Sequence, residues 1–448
     1  MGTTVGTGTS TIKPFKISIP DAQLSSLHQK LALASFPDEV DHDDSQQWSM
    51  GAPLDDIKRL TNHWKHSFDW RKAERELNET LPQFVASVPV SGFGELDVHF
   101  VYQRGETRKG RVAIPLLFIH GWPGSFVEVQ KILPLLTQVS EDEDDLPVFD
   151  VVAPSLPNFG FSEGASKVLS LLYILVIQLI RFQKGFGLAQ YAESMNAVMA
   201  ALGYSEYVVQ GGDWGSFIAR AMATFYPTHV KAVHLNFIPM PPPYPWKHPL
   251  LFLQTLLTLP FSATERAKVS VLRAYLDDGS GYSKQQDTRP QTLGYALHDS
   301  PVGLLAWVYE KLQAWTDSYA WTDDEVLQWV SIYLFSRAGP AASLRIYYES
   351  THPVRPQEND GKMISRDQTV YDPLPSSVKI AVANFPKEIL QSPSSWIQAA
   401  GNVVRETTFD RGGHFAAWEV PALLAHDVKA FMSKAGEGYG IVSGKDGY

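Results

Sequence analysis

The sequence predicts an α/β fold, with a mostly parallel sheet, helices on both of its faces, an inserted helical cap and a helical N-terminal arm. Short apolar runs that are typical of buried strands alternate with helical segments, which indicates parallel strands joined by right-handed crossovers. The proline-rich segment 238–246 then interrupts this alternation and opens about 130 residues of helical character before strands resume. A helical cap inserted between two halves of one sheet explains this order most simply.

Composition restricts the class of protein. The 448 residues carry a formal charge of -10 and no basic run, which argues against a nucleic-acid partner. The chain has no cysteine, which excludes disulfides, thiol nucleophiles and zinc-thiolate sites. We predict no cofactor and no metal. The first residues show no export or anchoring signal, so the predicted location is cytoplasmic.

The N-terminal arm is helical and unusually aromatic. Helices are predicted over 22–33, 53–64 and 68–74. No polar cluster accompanies its large aromatic side chains, so we interpret them as packing anchors. They are Trp48, Trp64 and Trp70.

The strands of the core follow the arm. They are predicted over 96–104, 114–119, 149–153, 207–210, 231–237, 378–383 and 403–408. Because ligands bind at the carboxyl ends of parallel strands, we expect the functional loops at that edge. The predicted divisions are a disordered N-terminus at 1–11, the arm at 12–95, the first half of the core at 96–237, the cap at 238–370, the second half of the core at 371–432 and a flexible tail at 433–448.

A candidate nucleophile lies where the strand at 207–210 ends. Gly211, Asp213 and Gly215 have the spacing of a nucleophile elbow, a strained strand-to-helix turn that exposes one side chain above the sheet. A serine there needs a base to remove its proton, whereas an aspartate is anionic at neutral pH and attacks an electrophilic carbon directly. The alternative interpretation is that Asp213 caps the helix that follows.

Two further loops at the same edge complete a candidate site. The loop 120–124 follows a buried strand, and its backbone N–H groups, with that of Trp214, are placed to meet an oxyanion. His120 itself is interpreted as structural. His414 follows two glycines after the last strand, where a histidine can act as general base.

A histidine base needs a carboxylate that orients it. Glu388 fits best, because it directly follows the strand at 378–383. Asp410 lies only four residues before His414 and is too close along the loop to face the ring well. Asn236, at the end of an earlier strand, carries no charge.

Four motifs together resemble one known family. They are Gly-Gly-Asp-Trp-Gly-Ser at 211–216, His-Gly-Trp-Pro-Gly at 120–124, Phe-Pro-Lys-Glu-Ile-Leu at 385–390 and Arg-Gly-Gly-His-Phe-Ala-Ala-Trp-Glu-Val-Pro at 411–421. In combination they look like the microsomal-type epoxide hydrolases of the α/β-hydrolase superfamily. The arm, with Trp-Ser-Met-Gly-Ala-Pro-Leu and Phe-Asp-Trp-Arg-Lys-Ala-Glu, resembles that family's N-terminal domain and makes the match specific.

The resemblance implies roles for seven residues. Asp213 would be the nucleophile, His414 the base and Glu388 its acid partner. The cap tyrosines that hold the epoxide oxygen match Tyr282 and Tyr347, with Tyr348 as the competitor for the second position. The N–H groups of Trp122 and Trp214 would form the oxyanion hole.

The implied reaction converts a small apolar epoxide and water to a vicinal diol through an aspartyl ester. A haloalkane dehalogenase is the alternative, because it also uses an aspartate followed by tryptophan. A serine esterase fits less well, since Ser216 lies one turn into the helix. The sequence shows no counterpart of the membrane anchor of mammalian members, and a homodimer stays open as an alternative to a monomer.

The segment Val168 to Gln183 departs from the family pattern, since it adds a long apolar run before Lys184. We interpret it first as translated intron from an imperfect gene model, because an apolar run without a polar face promotes aggregation. A lip of the substrate tunnel and a shallow membrane contact are the alternatives. Deleting 168–183 is expected to raise soluble yield and leave activity intact or improved.

Overall fold

The computed structural model describes residues 12–41, 47–106, 112–139, 146–165, 184–354 and 362–448. The predicted disordered N-terminus at 1–11 and the additional segment at 168–183 lie outside the described residues.

A nine-stranded sheet forms the centre of the described part of the chain, in the order β1-β2-β3-β5-β4-β6-β7-β8-β9. The pairs from β5 to β9 are parallel, and the first three strands add antiparallel pairs at one edge. The strands are β1 (Ile12–Pro14), β2 (Gln83–Val90), β3 (Gly94–Gln103), β4 (Ile114–Ile119), β5 (Phe149–Pro154), β6 (Tyr207–Gly211), β7 (Val230–Leu235), β8 (Lys379–Asn384) and β9 (Asn402–Thr408).

All seven predicted strands are present, with ends shifted by at most two residues. Strands β1 and β2 were not predicted. Both belong to the arm. Near its end β2 carries an exposed proline, Pro89, which weakens the strand pattern. The arm therefore extends the sheet as well as supplying helices.

Helices cover both faces of the sheet and form the insertion between β7 and β8. In chain order they are α1 (Asp21–Ala32), α2 (Leu54–His66), α3 (Trp70–Thr80), α4 (Val129–Thr137), α5 (Leu188–Ala201), α6 (Asp213–Phe225), α7 (Pro249–Thr258), α8 (Ala263–Ala274), α9 (Gly281–Thr288), α10 (Pro290–Asp299), α11 (Pro301–Ala314), α12 (Asp323–Leu334), α13 (Arg345–Thr351), α14 (Arg366–Tyr371), α15 (Ser394–Ile397), α16 (Ala416–Glu419) and α17 (Pro421–Met432). Helices α7 to α14 make up the insertion, so the helical character predicted after the proline-rich segment is present.

The two central strands bring the candidate loops together. Every residue of β4 and β6 is buried, as the continuous apolar runs predict. Their parallel register pairs Ile119 with Gly211, so both strands end at the same level. The loop that begins at His120 and the turn that carries Asp213 are therefore neighbours.

The arm packs through its helices and holds the cap. Trp64 and Trp70 are buried in the core, as predicted, whereas Trp48 stays exposed beside the ring of Tyr309. Polar contacts join the arm to α11 and α12. They are Arg59 with Asp323, His63 Nε2 with Asp324 Oδ1 at 2.7 Å, and the hydroxyl of Tyr309 with Asp56 Oδ2 at 3.1 Å.

The C-terminal segment 433–448, which the sequence predicts to be a flexible tail, makes contacts with the core. The N–H of Gly447 donates to the carbonyl of Val112 at 2.9 Å, and the N–H of Val148 donates to the carbonyl of Gly447 at 3.2 Å. Val442 is buried. Backbone hydrogen bonds and one buried side chain therefore attach this segment, which is rich in Gly and Lys, to the core.

Candidate active site

Asp213 lies on the turn between β6 and α6, with a positive φ of 46°. A Cβ on Gly215 would overlap the carbonyl oxygen of Ile119, and a Cβ on Gly211 would lie 2.5 Å from the carbonyl oxygen of Gly215. Both glycines are therefore required by the close approach of β4, β6 and α6. The turn has the geometry of a nucleophile elbow, with an aspartate in a backbone conformation that costs about 1–3 kcal/mol.

The contacts of Asp213 do not fit the alternative interpretation that it caps α6. Gly212 is the N-cap of α6, and no side-chain capping hydrogen bond is present there. The Oδ1 atom of Asp213 instead accepts a 2.7 Å hydrogen bond from the N–H of Trp122, in the loop after β4. A Cβ on Gly121 would overlap this carboxylate, so the glycine makes room for it.

The cap holds the loop that follows β4. The indole Nε1–H of Trp329 donates to the carbonyl of Pro123, and the hydroxyl of Tyr333 donates to the carbonyl of Gly124, each at 2.5 Å. Both donors belong to α12. These carbonyls are thereby bound to the cap, while the N–H of Trp122 is bound to Asp213.

His120 has structural contacts, in agreement with the interpretation from sequence. Its Nε2 accepts from the N–H of Leu156 at 3.1 Å, which leaves Nδ1 protonated to donate to the carbonyl of Gly121 at 2.9 Å. Burial lowers the pKa of His120 to about 4. A neutral ring with both nitrogens engaged fixes the loop and is not available as a base.

His414 lies between two carboxylates. Its Nδ1 is 2.5 Å from Oε1 of Glu388, and its Nε2 is 3.5 Å from Oδ2 of Asp213. Burial lowers the pKa of His414, but the charge and hydrogen bond of Glu388, together with those of Asp213, raise it well above 6.5. The N–H of Ile389 also donates to Oε1 of Glu388, at 2.7 Å, which orients that carboxylate.

The other candidates for the acid and the nucleophile lie elsewhere. Asp410 is exposed. Asn236 accepts at Oδ1 from the amide of Gln210 at 2.7 Å, and no hydrogen bond between it and His414 is found among the described residues. The hydroxyl of Ser216 donates to the backbone carbonyl of Asp213 at 2.7 Å, so it is bound below the elbow.

Tyr282, from α9, and Tyr347, from α13, face the elbow. The ring of Trp122 stacks on Tyr282 at a centroid distance of 5.4 Å and meets the edge of Tyr347 at 5.8 Å. Trp214 also contacts Tyr347, at 4.7 Å. Tyr348 points elsewhere and stacks on His352 at 4.2 Å, so the helix presents Tyr347 to the site.

Both site phenols are neutral donors. Burial raises the pKa of Tyr282 and of Tyr347 well above 10, and the negative charge of Asp213 raises both further. The hydroxyl of Tyr347 is buried and has no hydrogen-bond partner among the described residues. An acceptor on a bound molecule is the partner that this hydroxyl lacks.

Three further residues of the site were not predicted from the sequence. Tyr275 bonds the hydroxyl of Tyr282 at 3.1 Å, and its position seven residues earlier in a helical segment is a signal for a shared face. Trp315 packs its ring edge against His414 at 5.0 Å. Glu128 stands near the elbow, and the signal for it was an acid directly after an otherwise uncharged loop.

Within the described residues, no group of three or more His, Asp or Glu side chains is arranged to hold a metal ion. Nor does any helix in that part of the chain have the length and apolar character needed to cross a membrane.

The sheet, the inserted cap and the elbow define an α/β-hydrolase whose nucleophile position holds a carboxylate. Family comparison agrees, since residues 114–272 match the alpha/beta hydrolase fold family and residues 12–129 match the family described as Epoxide hydrolase N terminus. The chain belongs to the epoxide hydrolase family.

Individual relatives match over nearly the whole chain. A putative epoxide hydrolase of Stigmatella aurantiaca is 36% identical, over 93% of this chain and 84% of the relative. Epoxide hydrolase 1 of Sus scrofa is 33% identical, over 94% of this chain and 88% of the relative. The solved structure of Aspergillus niger epoxide hydrolase has a TM-score of 0.75 and 30% identity, and the match covers 94% of this chain and 96% of that one.

Proposed function

We propose that the protein hydrolyses epoxides to vicinal diols through a covalent ester on Asp213, with His414 as base, Glu388 as its acid partner and Tyr282 and Tyr347 as donors to the epoxide oxygen. One observation carries this proposal. The Asp213 carboxylate has two neutral buried phenols on the cap side and a carboxylate-bound histidine on the other.

In the first step one oxygen of Asp213 attacks an epoxide carbon. Oδ1 is bound by the N–H of Trp122, so Oδ2, which lies 3.5 Å from Nε2 of His414, is the atom that attacks. The bond between that carbon and the ring oxygen breaks. The oxygen stays on the neighbouring carbon and takes a proton from Tyr282 or Tyr347, while the other hydroxyl donates a hydrogen bond to it. A phenol transfers its proton readily because an alkoxide is far more basic than a phenolate of pKa about 10.

Esterification of Asp213 removes a negative charge beside His414. Before the reaction, the carboxylate of Asp213 is one of the groups that raise the pKa of His414. The ester is neutral, so this contribution is lost and Nε2 becomes more available as a base. His414 then takes a proton from the water that attacks the ester carbon, and the oxyanion is met by the N–H groups of Trp122 and Trp214.

The paired phenols favour an epoxide over a haloalkane as the substrate. Opening an epoxide leaves the oxygen on the product, where it needs a proton, and Tyr282 and Tyr347 provide two donors for it. Halide departure needs no proton. The surrounding rings of Trp122, Trp214 and Trp315 support an apolar substrate.

The range of substrates depends on the cap and the arm together. A cavity of about 840 Å³ is lined by Tyr275, Tyr282 and Glu388 and also by residues 48–51 of the arm. We expect its aromatic walls to accept an extended apolar group. A panel of aryl, terpenoid and fatty epoxides assayed with purified protein tests this expectation.

Labelling with oxygen-18 water tests the nucleophile. In a single turnover, water oxygen should enter Asp213 and the diol should receive an unlabelled oxygen from the enzyme, as read by mass spectrometry of the peptide that contains residue 213. The Asp213→Asn variant serves as the control without an ester. Label found in the diol, with none in the enzyme, would mean direct attack by water and would refute the assignment.

We also propose a homodimer and a cytoplasmic location. An exposed apolar face on α7 and just after it, with Leu250, Leu253, Leu257 and Phe261, supports association with a second copy. Sedimentation equilibrium of the protein tests the dimer, with Leu253→Lys and Leu257→Lys expected to yield monomers. Fractionation of the source cells tests the location, and recovery with membranes would contradict it.

A further inference from the structure

A small cavity lies beside Asp213, at the carboxyl ends of β4 and β6. It offers about 10 Å³ to the centre of a water-sized sphere, which is close to the room that one water molecule requires. Its walls include the proposed nucleophile, the proposed base and three further polar side chains. They are Asp213, His414, Glu128, Gln210 and Asn236.

The Glu128 carboxyl reaches this cavity because residue 124 has no side chain. A Cβ on Gly124 would overlap Oε1 of Glu128, so the carboxyl occupies the space that a side chain at position 124 would fill. Glu128 ends the 3₁₀ turn Phe126–Glu128, directly after the loop that holds Asp213. Its backbone N–H donates to the carbonyl of Ser125 at 3.0 Å, which anchors the turn.

The Glu128 carboxyl is largely neutral at pH 7. Burial raises its pKa to about 8, the positive charge of His414 lowers it and the negative charge of Asp213 raises it. A neutral carboxyl presents both an O–H donor and a carbonyl acceptor, so it can bind a water molecule without adding charge beside the nucleophile.

Gln210 provides independent evidence for a hydrogen-bond donor in the cavity. Its amide Nε2 donates to Asn236 Oδ1 at 2.7 Å, which fixes the orientation of the amide. Its Oε1 is buried and has no donor among the described residues. A buried amide oxygen in the wall of a cavity of this size is normally satisfied by a water molecule.

We propose that Glu128 is a positioning residue that, with Gln210, holds the water molecule that hydrolyses the Asp213 ester. The inference rests on the ester mechanism proposed above. The water oxygen forms a bond to Cγ of Asp213 while one of its protons passes to Nε2 of His414. The second O–H is shared between the carbonyl oxygen of Glu128 and Oε1 of Gln210, which otherwise lacks a donor. The bond between Cγ and the alkyl oxygen then breaks, and the departing oxygen takes the proton from His414. The proton left on the Asp213 carboxyl is released, and the tyrosine that protonated the epoxide oxygen regains one.

The two half-reactions separate this role from a structural one. Stopped-flow tryptophan fluorescence follows ester formation and decay, because Trp122 and Trp214 adjoin the site. In Glu128→Leu and Glu128→Asp, decay should slow about 10- to 100-fold while alkylation stays within threefold, and the ester should accumulate in intact-protein mass spectra. Glu128→Gln should retain decay within about fivefold, because the amide keeps a donor and an acceptor at the same reach.

Glu128→Asp guards against a folding failure, since it keeps the carboxyl and moves it by only one methylene. Glu193, which accepts from Ser91 and lies outside the cavity, provides a matched control as Glu193→Asp. Wild-type decay in Glu128→Asp and Glu128→Leu, or an equal loss in both half-reactions, would overturn the inference. Absence of any ester in the wild-type protein would instead refute the proposed function.

Discussion

The N–H of Trp122 donates a 2.7 Å hydrogen bond to Oδ1 of Asp213, so the proposed oxyanion donor is already bound to the proposed nucleophile. In the proposed mechanism the carbonyl that water attacks belongs to Asp213 itself. Oδ1 keeps its donor through alkylation and becomes the oxyanion of the second step. The donor is therefore in place before either half-reaction and needs little reorganisation.

Removing either cap phenol should slow alkylation. We expect Tyr282→Phe and Tyr347→Phe each to reduce its rate by roughly one to three orders of magnitude, since each removes one preorganised donor, and the double variant to lose nearly all activity. Single-turnover fluorescence measures the rate. Tyr348→Phe is the control, because Tyr348 stacks on His352, away from the site. A larger loss in Tyr348→Phe than in Tyr347→Phe would show that the wrong tyrosine was assigned.

Removing the base should trap the ester. In His414→Gln we expect alkylation without hydrolysis, because Asp213 needs no base to attack whereas water does. The intact protein should gain the mass of one epoxide. The Asp213→Asn variant should gain none under the same conditions. If His414→Gln stays unmodified while folded, the histidine is needed before the ester forms and the order of steps proposed here is wrong.

The pH dependence of ester decay should report the charge around His414. Glu388 raises the pKa of His414, so Glu388→Gln should lower it and the neutral base should appear at lower pH. We expect the rising limb of the rate profile to move down by about 1 pH unit or more, with a lower plateau because the ring loses its orienting acceptor. Rapid-mixing measurements between pH 5.5 and 9.5 give the profile. A limb that moves to higher pH would contradict this account.

The elbow should not tolerate a side chain at residue 215. Gly215→Ala places a methyl group against the carbonyl of Ile119, so we expect a loss of about 3 kcal/mol or more in the free energy of unfolding. Urea denaturation measures it. Gly281→Ala is the control, because a Cβ there has no heavy atom within 4 Å. Equal stability of the two variants would show that β4 and α6 adjust to the added methyl.

His99 should make the protein sensitive to acid. Burial lowers its pKa to about 3, so the folded state holds it neutral while the unfolded chain binds a proton below about 6.5. The unfolded state gains protons as pH falls through this window, so stability is lost. Relative to His99→Gln, the wild type should lose about 3 kcal/mol between pH 7.5 and 4.5, measured by urea denaturation. A constant difference between the two proteins would contradict this.

The local signals in the sequence were sufficient for the elbow and for seven of the nine strands in the described part of the chain. The spacing of Gly211, Asp213 and Gly215 is a motif contained within five residues, so it could be recognised locally, although a side chain at residue 215 is excluded by the carbonyl of Ile119 in β4. The apolar runs of β4 and β6 are continuous because both faces of these strands are buried. Each inference depends on neighbours along the chain, so no tertiary contact was needed.

Side-chain partners required the tertiary structure. Glu388 and Asp410 both lie near His414 in the predicted topology, and only the path of the last loop leaves Asp410 exposed while Glu388 lies 2.5 Å from the ring. Tyr347 and Tyr348 differ by about 100° around one helix, and the packing of α13 decides which one meets Trp214.

The sequence by itself determined the fold class, the family resemblance and the position of the elbow, because each depends on backbone pattern or on motifs that are contiguous in the chain. Only the tertiary structure decided that Glu128 reaches the site through the space left by Gly124, that Tyr275 supports Tyr282 and that Gly447 pairs with Val112. The reason is that these contacts depend on the angles and distances between packed elements, which no local pattern of residues specifies.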